Sequence, residues 1–500
     1  MNRFLCLTFF VSCFSFAQNE VIWEKKIGGE YSEYLYNSIS TPDYGFLLIG
    51  SSDSNATGDV EKQNQGDLDY FIWKMNEHGG QEWQNSFGGN GRDLLYNAKN
   101  TSDGGYILVG SSNSSKSGDK SQDNQGANDI WIIKIDALGQ IQWEKTFGGN
   151  GDDIPVDVIV TSKNEYLIAA VSNSDYSELK NASTYGANDY YLIKLDHKGK
   201  IIWEKTYGGE YDDRIQNITE VSDGFLLIGT SNSGISGNKS IDQQNGGIWL
   251  VKINYEGDII QQSNLGQTEE NQLISFQKND KNLTFSLKKY SSNDPLLIQT
   301  DFNLNNLQTK ELKIDQKLNI SSIAKYGEQY VVTANESTYN NGNHSAEDAI
   351  RSYYVASSYS SDGRRLWNKK FGNGGYNFLQ KSIETRDGDL ILFGTSMEGK
   401  NNGKGLADFY LIKLGKKERK EERKFIEVYP NPTSNIVNVL INTDFQKATI
   451  EIYNLVGQKI GQEDVKNRST PIQLAKYPSG IYILKIKYDN QEQSIKIIKK

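Results

Sequence analysis

The sequence predicts an all-β protein, namely a seven-bladed β-propeller followed by a small Ig-like β-sandwich. A tryptophan-centred phrase recurs every 60 residues, at Trp23, Trp83, Trp143 and Trp203, and a related phrase surrounds Trp367. Gly-Gly and Asp-Gly pairs, which favour tight turns, separate short runs in which polar and apolar residues alternate. The composition agrees, because 47 Gly and 29 Tyr accompany only 7 Pro among the 500 residues. This pattern is typical of many short strands.

Each repeat is predicted to contribute four antiparallel strands, which we name A to D from the centre of the ring outward. In the second repeat these strands span 93–100, 106–112, 129–136 and 141–147. Repeated four-stranded units without a helical pattern are typical of β-propellers. Seven sets of strands A to C and seven D strands can be counted, but the repeats between about 261 and 363 are degenerate. Six or eight blades therefore remain alternatives.

The repeat region begins with a lone D strand and ends with a lone set of strands A to C. We therefore expect Val21–Ile27 to pair with Asp408–Leu414 and to complete the last blade. The first strand then supplies the D strand that the last blade lacks, so every blade has four strands and the ring leaves no open sheet edge.

Residues 1–17 have the pattern of a signal peptide, which predicts entry into the periplasm. Arg3 precedes a short apolar run, and Ala17 ends a small-residue cleavage pattern. An alternative interpretation makes Cys13 a lipidated cysteine. Both cysteines of the chain, Cys6 and Cys13, lie in this segment, so we expect no disulfide and no thiol chemistry in the mature protein. No other segment is long and apolar enough to predict a transmembrane span.

The chain after the leader divides into three parts by composition. Residues 18–414 carry the propeller repeats, and the charged run 415–424 is predicted to be a solvated linker. Residues 425–500 contain short alternating strands with Pro and Gly turns, which predict the small β-sandwich.

The C-terminal domain contains several short motifs in a fixed order. They are VYPNP at 428–432, IYNLVG at 452–457 and a segment from Leu474 to Tyr482, followed by a basic last strand. The residues that carry these motifs are Tyr429, Pro430, Asn431, Pro432, Gly457, Gly480 and Tyr482.

These motifs resemble the C-terminal sorting domain of the type IX secretion system of Bacteroidetes. The resemblance implies export across the outer membrane, recognition by the translocon and sorting machinery, and release or attachment at the cell surface. The propeller repeats resemble Gly-rich repeats of secreted proteins from that group, a likeness that defines no activity. We therefore expect a secreted or outer-surface protein that passes through the periplasm.

The sequence offers little sign of catalysis. The three histidines, His78, His197 and His344, are dispersed, and no HExxH, CxxC, P-loop or GxSxG motif occurs. We therefore predict no catalytic residues and no cofactor. Metal binding stays undetermined, with calcium held by Asp and Asn oxygens of the loops as an alternative. A nucleic-acid partner is not expected, because 54 Lys+Arg face 63 Asp+Glu and no basic face is evident.

The long B–C connections are predicted to crowd one face of the ring, whereas the A–B and C–D turns are short. The loops 113–128 and 173–188 are examples. Variable loops on a rigid scaffold are a common arrangement for binding, and Tyr176 and Tyr185 are candidate contacts for an extracellular glycan or protein. The alternative is that these Ser-, Asn- and Gly-rich loops are solvated spacers.

A recurring carboxylate follows the Gly-Gly corner between strands D and A. One hypothesis places these carboxylates as a ring at the mouth of the central channel, where they would bind a cation, a sugar or a basic peptide. The alternative is that each accepts hydrogen bonds from backbone N–H groups of the glycine corner. The residues concerned are Glu33, Asp93, Asp153, Asp213 and Glu270.

A second recurring carboxylate opens strand C, and the repeated aromatic residues lie on strands. We expect the carboxylate to bond the preceding loop, and the aromatic residues to pack between blades. These residues are Asp69, Asp129, Asp189 and Asp408, and Trp73, Trp83, Trp131, Trp143, Trp203 and Trp249.

Three functions remain open on this evidence. The first is a non-enzymatic binding or adhesion module at the cell surface or in the medium. The second is a polysaccharide-active enzyme, a glycoside hydrolase or lyase, that uses two carboxylates at the propeller mouth. The third is a purely structural surface component.

Overall fold

The computed structural model describes residues 20–242, 246–265, 271–289, 292–314, 318–339, 349–372, 375–398, 404–416, 425–429, 431–433, 436–443, 445–465 and 468–500. Within these ranges the regular structure is entirely β, and no helix is long and apolar enough to cross a membrane. The predicted leader 1–17 and most of the charged run 415–424 lie outside the described residues.

The described chain begins with a single strand, β1 (Glu20–Ile27), and four regular blades follow it. The first blade comprises β2 (Glu33–Ser40), β3 (Phe46–Ser52), β4 (Asp69–Met75) and β5 (Gln81–Phe87). The second comprises β6 (Asp93–Asn100), β7 (Tyr106–Ser112), β8 (Asp129–Ile135) and β9 (Ile141–Phe147). The third comprises β10 (Asp153–Val160), β11 (Tyr166–Ser172), β12 (Asp189–Leu195) and β13 (Ile201–Tyr207). The fourth comprises β14 (Asp213–Val221), β15 (Gly224–Ser231), β16 (Ile248–Ile253) and β17 (Ile259–Leu265).

Two divergent blades and three strands of a last blade complete the repeat region. The fifth blade comprises β18 (Asn271–Lys278), β19 (Leu283–Lys289), β20 (Ser292–Thr300) and β21 (Gln308–Glu311). The sixth comprises β22 (Asn319–Tyr326), β23 (Gln329–Tyr339), β24 (Ala349–Ser360) and β25 (Arg365–Phe371). The seventh contains β26 (Tyr376–Glu384), β27 (Leu390–Met397) and β28 (Asp408–Gly415).

The described residues from 20 to 415 thus form seven four-stranded antiparallel sheets. The A strands of neighbouring blades contact one another around most of the ring, so strand A is the innermost strand. Side-chain hydrogen bonds also link the A strands of the first three blades. Asn97 accepts a hydrogen bond from Asn37 of the first blade and donates one to Asp157 of the third. The prediction of an all-β propeller is confirmed.

The ring closes through the first strand of the described chain. β1 pairs antiparallel with β28, from Val21 opposite Leu414 to Ile27 opposite Phe409. The seventh sheet therefore has the order β1-β28-β27-β26. The predicted pairing of the two ends is confirmed.

Strands B and C are apolar because both of their faces meet other blades. In the second blade, β7 and β8 are buried at every position. Leu108 packs with side chains of the first blade, whereas Ile107 and Val109 pack with those of the third. This division follows from the alternation of side chains along a strand, which sends successive residues to opposite faces.

The glycine of the strand-B phrase leaves room for an aromatic ring of the preceding blade. A Cβ atom at Gly110 would lie 2.5 Å from the Tyr70 hydroxyl, and one at Gly229 would lie 2.6 Å from the Tyr190 hydroxyl. Tyr70 donates this hydroxyl to the backbone oxygen of Trp131 at 2.9 Å, and the two ring centres are 4.8 Å apart. Only glycine allows the two blades to approach this closely.

The D-strand tryptophans lie between blades, as predicted. The ring of Trp83 is centred 6.0 Å from that of Tyr106, the first strand-B residue of the next blade, and Gly139 of that blade lies against the same indole. Trp143 repeats the arrangement with Tyr166, again at 6.0 Å. We call this place between a D strand and the next blade the tryptophan seat.

The C-terminal domain consists of two sheets that share one core. Its strands are β29 (Ile426–Tyr429), β30 (Ile436–Ile441), β31 (Ala448–Asn454), β32 (Lys459–Val465), β33 (Ser469–Gln473), β34 (Gly480–Tyr488) and β35 (Gln491–Lys499). One sheet has the order β29-β30-β33 and the other β32-β31-β34-β35. Val437 of the first sheet and Ile450 and Leu484 of the second are fully buried in the common core.

The C-terminal domain contacts the propeller on the side of the A–B and C–D turns, which we call the turn face. Arg386 donates to Glu77 at 2.9 Å and to Glu427 of the C-terminal domain at 2.8 Å. The rings of Tyr44 and Tyr429 stack with centres 4.6 Å apart. The opposite side carries the B–C loops and the D–A corners, and we call it the loop face.

Candidate functional site

The carboxylates predicted to ring the channel mouth are buried in the loop face. Glu33, Asp93, Asp153 and Asp213 are each 0% exposed, so none presents its carboxylate to solvent in the channel. Each accepts a hydrogen bond from a glycine N–H of the D–A corner, at 2.7 to 2.8 Å. The hypothesis of a channel-mouth ring is thus wrong for these four, because the backbone N–H groups of the corner hold them inside. Glu270 lies outside the described residues.

The carboxylates that open strand C bond the loop before them, as predicted. Asp69 accepts from the N–H of Gln65 at 2.8 Å, and Asp129 accepts from that of Gln125 at 2.7 Å. Asp408 accepts from the N–H of Lys404 at 2.8 Å. These bonds hold the end of each long loop at the start of its strand.

The two sets of carboxylates meet in pairs at the blade junctions. A Cβ atom at Gly208 would lie 1.8 Å from Asp189 Oδ1 and 3.0 Å from Asp213 Oδ2, so the two side chains converge on this glycine. Burial raises the pKa of Asp69, Asp129 and Asp189 to about 7, and the neighbouring carboxylate adds to the rise. The Oδ1 atoms of these carboxylates accept no hydrogen bond from the described residues.

Sequence reasoning missed three buried lysines in the B–C loops. Lys120, Lys180 and Lys239 are at most 2% exposed, and burial lowers the pKa of each, that of Lys239 to about 8. Lys180 Nζ lies 3.6 Å from Asp153 Oδ1, and Lys120 donates to the backbone oxygen of Ser114 at 2.7 Å. The signal was a lysine at a constant place in the repeats SGDK, SELK and SGNK. These lysines fasten the loops to the ring and balance part of the buried negative charge.

The loop face exposes apolar side chains at the third and fourth blades. Tyr176 and Tyr185 are 67% and 51% exposed, and their role as contact residues stays a prediction. Tyr211 at the next D–A corner and Ile235 in the next B–C loop are 56% and 70% exposed, and sequence reasoning missed both. The second repeat has Gly91 and Lys116 at these two positions, a difference that would have revealed them.

These side chains belong to neighbouring loops that touch. Gly237 lies against the ring of Tyr185, since a Cβ atom there would be 2.9 Å from Tyr185 Cγ. The N–H of Tyr211 bonds the Ser233 hydroxyl at 2.9 Å, in the same loop as Ile235. We call Tyr176, Tyr185, Tyr211 and Ile235 the loop-face patch.

The motif residues of the C-terminal domain have mostly structural contacts. Asn431 clamps the last strand, because its amide bonds the Lys496 carbonyl at 2.7 Å and the Ile498 N–H at 2.9 Å. Tyr482 donates to the Pro478 carbonyl at 2.6 Å, and Gly457 has a φ of 78° in the β31–β32 turn.

The other motif residues of this domain differ in their surroundings. Tyr429 reaches the propeller through its stacking on Tyr44. Pro432 is exposed, as is Gly480 at the start of β34. Pro430 lies outside the described residues.

The histidines do not converge with other ligands. Within the described ranges, no three His, Cys, Asp or Glu side chains are grouped so that they could hold a metal ion. His78 and His197 lie in exposed C–D turns, as expected, and His344 lies outside the described residues.

Residues 427–500 match the family model of the secretion system C-terminal sorting domain. This match carries the motifs described above and agrees with the resemblance found in the sequence. No curated protein matches the chain.

Several solved structures match this chain in a structural comparison, each with low sequence identity and a TM-score below 0.5. An oligogalacturonate lyase from Vibrio parahaemolyticus is 11% identical with a TM-score of 0.43, and the match covers 79% of this chain and 98% of the lyase. The Dos1 propeller is 11% identical with a TM-score of 0.32, over 96% and 95% of the two chains. The extracellular region of plexin A4 is 8% identical with a TM-score of 0.45, over 95% and 67%.

Proposed function

We propose that this secreted propeller, whose chain ends in a secretion system C-terminal sorting domain, is a non-enzymatic binding or adhesion module. In this proposal the type IX translocon recognises residues 427–500, and the propeller then presents its loop face to an extracellular glycan or protein. The loop-face patch is the observation that carries the proposal.

The patch has the properties of a contact surface. Four large apolar side chains, each more than half exposed, stand on loops whose bases are fixed by buried ion pairs and hydrogen bonds. Exposed aromatic side chains on a rigid support lose little conformational entropy when they bind a partner. The C-terminal domain occupies the turn face, so it leaves the patch accessible.

The enzyme alternative gains no support from the carboxylates predicted for it. Hydrolysis of a glycosidic bond needs two carboxyl groups that reach the substrate from a cleft. Glu33, Asp93, Asp153 and Asp213 are buried and bonded to glycine N–H groups, so they do not reach a substrate in the channel.

The test is a binding screen of the purified full chain on glycan and protein arrays and on cells of the producing organism. The double variant Tyr185→Ser, Tyr211→Ser should lose at least about tenfold in affinity for any partner found, because it removes two rings from the patch. A matched control is Leu138→Ser, Ile202→Ser, which removes two exposed apolar side chains outside the loop face. A partner that binds both variants equally well contradicts the proposal.

A further inference from the structure

The fifth blade lacks the tryptophan of the repeat at its junction with the sixth. Gln308 pairs with Gln299 in the register in which Trp143 pairs with Lys134, so Gln308 stands at the tryptophan seat. Glutamine is smaller than tryptophan and does not cover the next blade in the same way. The seat at this junction is therefore not filled by an indole.

The tyrosine on the other side of the seat is retained. By strand register, Tyr330 of the sixth blade corresponds to Tyr106, the residue that packs on Trp83. Here a cleft of about 730 Å³ opens on the turn face, and both Gln308 and Tyr330 line it. This volume lies within the range of small-molecule sites.

The cleft concentrates positive charge in an acidic protein. Lys278, Lys310 and Lys325 line it, and its lining contains no Asp or Glu, whereas the chain as a whole has a net charge of −9. The amino groups of Lys310 and Lys325 lie 5.3 and 6.0 Å from the centre of the Tyr330 ring. Lys278 also donates to the carbonyl oxygen of Glu220. Lys278 therefore holds its ammonium group on the side of the fourth blade, whereas the Tyr330 ring holds those of Lys310 and Lys325 at the cleft, and no carboxylate of the lining neutralises these two.

The remaining side chains of the cleft are mostly uncharged hydrogen-bonding groups. Amides and hydroxyls can donate to and accept from the hydroxyl groups of a sugar. These side chains are Gln277, Asn279, Thr284, Gln299, Gln308 and Thr309.

We propose that this cleft between the fifth and sixth blades binds an acidic oligosaccharide. The carboxylate or sulfate groups of the sugar would face Lys310 and Lys325, and its hydroxyls would face the amides and threonines. A nucleic acid is disfavoured, because tracking a phosphate backbone needs an extended basic surface, and the basic lining here is confined to one cleft. The site lies on the turn face, so it is independent of the loop-face patch.

The test measures binding of three tetrasaccharides to the purified full chain by isothermal titration calorimetry. The probes are a mannuronic acid tetramer, a sulfated tetrasaccharide and the neutral mannose tetramer. At least one acidic tetramer should bind and the neutral tetramer should not, and the stronger acidic probe identifies carboxylate or sulfate as the recognised group. The double variant Lys310→Ala, Lys325→Ala should weaken the acidic tetramer at least about tenfold.

The sharper variant fills the cleft without changing its charge. Gln308→Trp restores the residue that the repeat has at the seat and should abolish binding, while the melting temperature stays the same or rises. Gln261→Trp is its matched control, because Gln261 is the other glutamine at a tryptophan position but does not line the cleft. Lys198→Ala, Lys200→Ala is the control for charge, since both lysines lie in the C–D turn of the third blade.

Three results would overturn the proposal. The first is that neither acidic tetramer binds, and the second is that the neutral tetramer binds equally well. The third is that binding survives both Gln308→Trp and the loss of Lys310 and Lys325. The loop-face variant Tyr185→Ser, Tyr211→Ser should leave this binding unchanged, so the result does not depend on the function proposed above.

Discussion

At the scale of single residues, the protein keeps many charged groups inside its loop face. Paired carboxylates at the blade junctions hold glycine corners and loop ends, and the loop lysines compensate only part of their charge. The first repeat has Val60 at the place where the next three repeats have this lysine. The loop before Asp69 therefore lacks the buried lysine that the next three loops have at this place, and its Lys62 is exposed.

The first prediction concerns Asp69 and pH. Burial raises its pKa to about 7, well above the value of an unfolded aspartate, so folding takes up a proton at this site. Its contribution to stability is fully present below about pH 4 and is lost as the pH rises towards 7. The variant Asp69→Asn has no carboxylate to protonate and therefore escapes this loss. The free energy of unfolding of the variant minus that of the wild type should thus increase by roughly 2 kcal/mol from pH 5 to pH 8.

The measurement is urea unfolding of both proteins at the two pH values. Asp258→Asn serves as the control, because Asp258 is exposed and its ion pair with Lys205 keeps its pKa below the usual value. Asp258→Asn should change the free energy of unfolding by the same amount at pH 5 and at pH 8. An Asp69→Asn effect that is also constant with pH would show that Asp69 stays ionised throughout.

At the scale of strands, each element depends on partners that are distant in the sequence. β1 hydrogen-bonds to β28, almost 400 residues away, and Ile27 is buried against the last blade and the first. The tyrosine of one blade likewise packs against the strand-B glycine of the next blade, where a side chain would collide with its hydroxyl. A strand in this ring is therefore stable only when both neighbouring blades are present.

The second prediction is that removal of Val21–Ile27 destabilises the whole ring. The deletion unpairs β28 along its length and removes Trp23 and Ile27 from their packing. We expect a loss of at least about 3 kcal/mol in the free energy of unfolding. Addition of a synthetic peptide 20–27 should restore part of the melting temperature, and a scrambled peptide should not. An unchanged melting temperature after the deletion would refute closure through β1.

At the scale of the whole molecule, the two domains divide the two faces of the propeller. The sorting domain contacts the turn face near the first and seventh blades, and the cleft between the fifth and sixth blades opens on the same face. The loop face carries its apolar patch on the other side. The arrangement allows export through one domain while both candidate binding surfaces remain accessible.

The third prediction concerns export. Deletion of residues 425–500 removes the sorting domain but leaves every blade of the propeller complete. The truncated protein should be folded and retained in the periplasm, which fractionation followed by immunoblotting measures. Its circular dichroism spectrum and its resistance to protease provide the control for folding. Secretion at the level of the full chain would contradict the role assigned to the sorting domain.

The repeat by itself determined the all-β propeller, the strand boundaries of the regular blades and the pairing of the two ends. These features follow from a 60-residue period and from turn glycines, which are local properties of the chain. The sorting domain was equally visible, because its motifs are contiguous. The boundaries agree closely: in the second blade, for example, the predicted strand 129–136 and the observed β8 (Asp129–Ile135) differ by only one residue.

The tertiary structure alone decided what the charged and exposed residues do. The bond from Gly89 to Asp93 is local, but the burial of Asp93 also depends on the B–C loop, whose Ser114 hydroxyl donates to the same carboxylate, and the repeat does not specify this approach. The loop-face patch joins loops about 50 residues apart, and the lysine-lined cleft exists only because Gln308 fails to fill a seat formed by two blades. Burial and electrostatic environment arise from contacts between distant segments, so one-dimensional patterns predict the framework and leave the sites to the fold.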